Sequence, residues 1–176
     1  MPAHTVPQLF LLLFLLLFQP GCTQSQPSPR AARNSTLKGR AVKIIDGDTF
    51  DLLAADNTTY RIRLHGIDCP ERGQDYYKVC KTALGNFLGH RQLIVIVRNK
   101  DRYKRIVGDV YTSANEWVNQ QMVAGGYAWH FTRYDRDRRL GQAMQQAIQG
   151  SLGLWAMPNP TPPWEWRKAR REKHTY

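Results

Sequence analysis

Cysteine is scarce in this chain: three in 176 residues, too few for a disulfide-dense scaffold. No CxxC pair occurs, and the histidines (His4, His65, His90, His130, His174) are scattered without zinc-like spacing. There is no GxxxxGK[ST] phosphate loop, no HExxH and no GxSxG, so three common catalytic machines are absent. Acid is also in short supply, with 14 Asp+Glu against 25 Lys+Arg and a formal charge of +11. The one long apolar run, Leu9 to Phe18, is about half the roughly 20 residues that span a bilayer. What is present is a globular composition, 42% hydrophobic and 22% charged, long enough for one domain with a buried core. The positive excess selects a polyanionic partner without saying which: nucleic acid, an anionic membrane face or an acidic polysaccharide.

Residues 1–22 read as a signal peptide whose apolar centre is Leu9–Phe18. Gly21-Cys22 just beyond that run resembles the lipobox of bacterial lipoproteins, although Gln19 and Pro20 depart from the usual aliphatic and small residues. The expectation is therefore an exported protein, secreted or attached to the bacterial cell envelope through a lipidated Cys22; an uncleaved anchor would give the same topology. Export would leave Cys69 and Cys80 as an even pair, either a disulfide or two half-buried thiols. Asn34-Ser35-Thr36 and Asn57-Thr58-Thr59 match the glycosylation sequon, but the lipobox-like leader points to bacteria and both are set aside.

Residues 23–40 are Ser-, Gln- and Pro-rich, with Arg30, Arg33, Lys38 and Arg40 and no acid, the composition of a flexible basic linker. A domain is expected over 41–157. Strands are predicted at Ala41–Ile45, Thr49–Ala55, Thr58–Ile67, Gln92–Val97 and Ile106–Thr112. Apolar residues at i, i+3, i+4 spacing predict helices over Asp75–Gly89, Glu116–Ala124 and Asp135–Gln149. Residues 158–176 form a Pro- and Trp-rich basic tail. Five strands with helices after the third and at the end make an α+β pattern, a small curled or closed sheet with packed helices. Short turns between the first three strands disfavour a parallel βαβ sheet.

Carboxylates concentrate at two strand ends. Asp46 and Asp48, two apart on extended chain, share a face, while Asp68 and Glu71 bracket Cys69-Pro70 where the third strand ends. Crowded carboxylates repel unless a cation lies between them, and a hard divalent ion with oxygen ligands suits the set. Singly, each has a plainer reading as a turn residue, a helix cap or a solvated acid. Arg61 and Arg63 alternate on one strand face, and Arg105 follows the turn Asp101-Arg102-Tyr103-Lys104. Guanidinium forks match phosphate oxygens, so carboxylates, a metal and two arginines equip a phosphodiesterase. Spacing alone does not choose between Arg61 and Arg63.

Three segments occur together in order: Ile45-Asp46-Gly47-Asp48-Thr49, Arg63-Leu64-His65-Gly66-Ile67-Asp68-Cys69-Pro70-Glu71 and Asp101-Arg102-Tyr103-Lys104-Arg105. They resemble the signature of the staphylococcal nuclease (thermonuclease) family, over roughly Val42 to Trp155. The resemblance implies a five-stranded OB-fold β-barrel with about three packed α-helices, and Ca²⁺-dependent hydrolysis of DNA and RNA with little sequence specificity. It implies metal ligation by Asp48, Asp68 and the main-chain oxygen of Cys69. It implies catalytic roles for Glu71, which positions or deprotonates water, and for Arg63 and Arg105 at the phosphate. Asp46 then stands behind the ligands and Arg61 is a flanking residue. Cys69 replaces a threonine of the family pattern, and Lys104 stands where the family has a glycine. Tyr127 to Tyr134 lies where the family stacks a base on tyrosine; rings beside Arg133 suit a single strand, while Trp129 and Phe131 also read as core. The partner expected is nucleic acid, preferably single-stranded, and the protein is expected to be a monomer. The alternative is a non-catalytic OB-fold nucleic-acid-binding module at the cell envelope. A third reading, a basic surface protein adhering to anionic envelope polymers, explains the charge but not the carboxylates.

Overall fold

The computed structural model describes Met1 and residues 34–173. The leader, the apolar run, Cys22 and most of the basic linker therefore lie outside the described residues. Five strands, β1 (Thr36–Ile44), β2 (Thr49–Ala54), β3 (Thr59–Leu64), β5 (Leu93–Lys100) and β6 (Ile106–Thr112), close into a barrel in the order β1-β2-β3-β6-β5. A two-stranded ribbon pairs β4 (Ile67–Asp68) with β7 (Trp129–His130). Four helices pack outside: α1 (Tyr77–Leu88), α2 (Val118–Ala124), α3 (Arg138–Gln149) and α4 (Pro163–Lys173). This is the OB-fold α+β architecture. The β3–β6 pair is parallel and the other barrel pairs are antiparallel.

Alternation decides which residues fill the barrel. Phe50, Leu52, Ile62, Leu64, Leu93, Val95 and Val97 are buried on its inner face, and Asp51, Arg61 and Arg63 alternate outward. The helices cover the core with Cys80, Leu84 and Leu88 of α1, Val118 and Met122 of α2, and Leu140 and Ala143 of α3. Each such aliphatic side chain contributes about 1.5–3 kcal/mol on burial.

Three departures from the sequence expectation change the architecture. β1 begins at Thr36 and not at Ala41, so the last residues read as linker belong to the barrel. Their register, Thr36 opposite Ile96 to Gly39 opposite Leu93, closes the sheet on β5 and removes an open edge. Next, the strand expected over Thr58–Ile67 ends at Leu64, because Gly66 turns at φ +73° and starts β4 in a new direction. Finally, the expected tail carries α4. Pro163 opens it, Glu165 lies in its first turn, and Arg170, Arg171 and Lys173 lie in its last. That order suits both the helix start and its dipole. Among the described residues no helix is long and apolar enough to cross a membrane.

Candidate active site

Asp46 and Asp48 sit in the β1–β2 turn, whose backbone is closed by Ile45 and Asp46 N–H groups donating to Thr49 O at 2.9 and 3.2 Å. The Asp48 N–H donates to Asp46 Oδ1 at 3.1 Å. Gly47 between them presses against the cysteines: a Cβ there would lie 2.8 Å from Cys69 Cβ and 3.0 Å from Cys80 Cβ. The turn is thereby held against α1 and β4 at once. Leu64 N–H donates to Asp48 O at 2.9 Å, and Cys69 N–H donates to Asp48 Oδ2 at 3.2 Å. The Gly66 turn thus delivers Asp68 beside Asp48.

Arg63 joins the two acids. Its guanidinium pairs with Asp48 and lies 3.0 Å from Asp68 Oδ1. Burial works against the Arg63 charge, but Asp48 and Asp68 outweigh it and hold the guanidinium protonated. Arg61, on the same strand face, instead pairs with Asp51 across the ladder at 2.8 Å and is half exposed. The β2–β3 register separates the two arginines, since Arg61 stands opposite Asp51 and Arg63 opposite Thr49.

Arg105 reaches the site from the β5–β6 turn. Its Nε donates to Asp101 Oδ2 at 2.7 Å, and its Nη1 lies 3.4 Å from Thr49 Oγ1, which itself donates to Asp48 Oδ1 at 3.0 Å. Asp101 is pulled below the usual carboxylate range: burial opposes this, and the hydrogen bonds from Arg105 prevail. Lys104, in the family's glycine position, has φ +65°, the left-handed conformation that favours glycine.

Glu71 is more than a third exposed, in the turn between β4 and α1, with its N–H on Gln74 Oε1 at 2.9 Å. Its carboxylate meets a residue the sequence reading assigned to the tail. Arg167 of α4 donates from Nη1 to Glu71 Oε1 at 2.5 Å and from Nη2 to Asp68 Oδ2 at 2.7 Å. Arg167 is the side chain at this site that sequence reasoning missed. Its partners lie 96 and 99 residues away in the chain. The usable signal was the helix-start pattern of Pro163 and Glu165 followed by terminal bases.

Burial and the neighbouring Asp48 charge push the Asp46 carboxyl up to about 7, and burial raises Asp68 despite Arg167 and Arg63. Carboxylates crowded this way, with two guanidiniums drawn in, have donor chemistry that fits a hard divalent ion. Asp48 and Asp68 are the two carboxylates that would hold it. Among the described residues no three His, Cys, Asp or Glu side chains form a ready cage, so further oxygens would come from main chain and water. The Cys69 thiol is turned away, donating to Gly47 O at 3.2 Å, and burial pushes its pKa up. That leaves only its main-chain oxygen for a hard cation. Cys80 donates to Tyr127 O at 2.6 Å; both thiols are free and buried, with no disulfide.

The aromatic segment divides in two. Trp129 is buried edge-on to Trp155 with centroids 5.3 Å apart, and Phe131 stacks on Trp164 of α4 at 5.0 Å. Tyr134 is exposed, with the Arg133 guanidinium 5.9 Å from its ring centre.

Residues 61–157 match the family described as Staphylococcal nuclease homologue. A probable staphylococcal-like nuclease of Oryza sativa subsp. japonica is 46% identical over 112 residues, 64% of this chain and 34% of that protein. A staphylococcal-like nuclease of Arabidopsis thaliana is 37% identical over 140 residues, 80% of this chain and 42% of that one. An uncharacterized endonuclease of Escherichia coli is 37% identical over 131 residues, 74% of this chain and 85% of that protein. The chain thus spans about a third of the rice protein's length and most of the bacterial one's.

Proposed function

Because the chain belongs to the staphylococcal nuclease family, we propose that it is a nuclease that hydrolyses phosphodiester bonds of DNA and RNA with Ca²⁺. The observation that carries this reading is the convergence of Asp48, Asp68, Glu71, Arg63 and Arg105 at one end of the barrel, from three turns and from strands β3 and β4. A bare binding module of the same fold has no use for that set.

In this reading Asp48, Asp68 and the Cys69 main-chain oxygen would hold Ca²⁺, which when bound would supply positive charge against a phosphate oxygen. Glu71, open to solvent, positions or deprotonates the attacking water. Arg105 stands beside Thr49 and offers a fork to the phosphate, and Arg63 exchanges a carboxylate for a phosphate oxygen as charge builds there. Asp46 accepts the Asp48 N–H at Oδ1 and so fixes the turn that presents Asp48.

The test is hydrolysis of denatured DNA and of RNA with Ca²⁺ and with chelator. Cleavage with Ca²⁺ that stops in chelator supports the reading. Undiminished cleavage in chelator removes the metal from it, and binding without cleavage favours the non-catalytic module. We further propose export to the envelope through the Leu9–Phe18 segment, acting as a monomer. Fatty-acid labelling that disappears in Cys22→Ser supports lipid attachment, and an unlabelled parent refutes it.

A further inference from the structure

The match to the family ends at residue 157, and α4 lies beyond it. This helix is nevertheless fastened to the site. Gln74 Nε2 donates to Thr161 O at 2.5 Å, Pro163 is buried, and Trp164 lies parallel on Phe131, the two ring planes 1° apart. One turn after Trp164, Arg167 is brought over Asp68 and Glu71 by the i, i+3 geometry of the helix.

Arg63 and Arg167 hold Asp68 on different terms. Arg63 is mostly buried in the barrel wall and pairs with both Asp48 and Asp68. Arg167 is a third exposed, lies on α4, and bridges Asp68, which is buried, to Glu71, which is open. A guanidinium there neutralises the acids that a divalent ion would otherwise neutralise, and its contacts with both Asp68 oxygens, Nη1 to Oδ1 at 3.2 Å and Nη2 to Oδ2 at 2.7 Å, set its charge against that of an ion bound there. We propose that Arg167 is a displaceable counter-ion: it fills the cation position between Asp68 and Glu71 until a divalent ion takes Asp68, so that the C-terminal helix sets the ion affinity of the site. The proposal rests on Ca²⁺ binding at Asp48 and Asp68. Once off Asp68, Arg167 retains Glu71, so it is a positioning residue acting through that carboxylate.

Competition of this kind is reciprocal: what the ion gains when Arg167 is absent, Arg167 loses when the ion is present. The experiment is calorimetric titration of Ca²⁺ alone into the full chain, its Arg167→Gln and Arg167→Lys variants, and Asp68→Asn. Arg167→Gln should bind Ca²⁺ about fivefold or more tightly than the parent, within the ordinary range of coupling between sites, with Arg167→Lys in between. Equal or weaker binding in Arg167→Gln overturns the proposal. Hydrogen exchange of the unmutated chain needs no variant to fold. Protection over residues 163–173 should fall when Ca²⁺ is added, and unchanged or increased protection overturns the proposal. If neither the parent nor Arg167→Gln takes up Ca²⁺, the metal reading itself fails and this inference with it. If the parent binds through Asp68 but the glutamine variant gains nothing, only the counter-ion role fails.

Discussion

Individual side chains in this protein are committed by their partners more than by their type. Arg61 and Arg63 share a strand face, yet Arg61 is spent on an exposed pair with Asp51 while Arg63 bridges the two proposed ligands. Glu71→Ala and Arg105→Ala should therefore each lower single-turnover cleavage of denatured DNA by about two orders of magnitude or more. Arg61→Ala should stay near the parent rate; circular dichroism checks that all three remain folded. Away from the site, Asp109 is buried on β6, with Arg98 Nη2 2.6 Å from its Oδ2 and His65 Nδ1 3.7 Å from its Oδ1. Burial would raise its pKa, but the interactions with His65 and Arg98 outweigh it and the pKa is lowered. A depressed folded-state carboxyl adds stability above its unfolded pKa of about 3.9, and loses it as pH falls through the folded value. Asp109→Asn should cost about 1–2 kcal/mol at neutral pH, moderated by the half-exposed Arg98. Denaturant midpoints measured from neutral pH downward should show the gap between parent and variant closing below about pH 4.

At the scale of elements, the turns do most of the positioning. The β5–β6 turn is organised by Asp101, whose Oδ1 accepts from the N–H groups of Tyr103 and Arg105, both at 2.9 Å. Lys104 sits inside that turn at φ +65° and faces solvent. Lys104→Gly should relieve a left-handed penalty of about 1–2 kcal/mol and give back part of it as chain entropy. A net gain of about 0.5–1 kcal/mol is expected in thermal or denaturant unfolding, and a loss would mean the turn is not strained there. The helices over 77–88, 118–124 and 138–149 were legible because their apolar residues recur at helical spacing. α4 was not, because only Pro163 on it is buried, so it shows no apolar face, and its anchorage includes a ring stack, a hydrogen bond and the Arg167 pair. The β3–β4 break had a weak signal, because glycine is depleted in strands, but Ile67 directly after it reads as more strand, and it is the positive φ at Gly66 that turns the chain.

Over the whole molecule, much of the positive charge lies away from the proposed site. Arg30 and Arg33 precede β1 and α4 is basic, while the domain between them holds most of the acids. Charge of that kind captures a polyanion without reading its sequence. Binding of single-stranded DNA in chelator, measured by anisotropy, should weaken by roughly one to two orders of magnitude between about 50 and 200 mM salt if a few phosphates are contacted. A salt-insensitive affinity would place recognition in the aromatic residues instead.

The sequence by itself determined the five strands, three of the helices and the acids and arginines of the motifs. Alternation, helical spacing and turn residues are local, and each is written within a dozen residues. Tertiary structure decided what depends on distance along the chain: the closure of β1 on β5, the pairing of Arg61 with Asp51 and of Arg63 with Asp48 and Asp68, the free thiols, and the arrival of Arg167 at Asp68. A guanidinium 99 residues from its carboxylate leaves no periodic trace. Only the packing of α4 on Phe131 and Gln74 brings the two together.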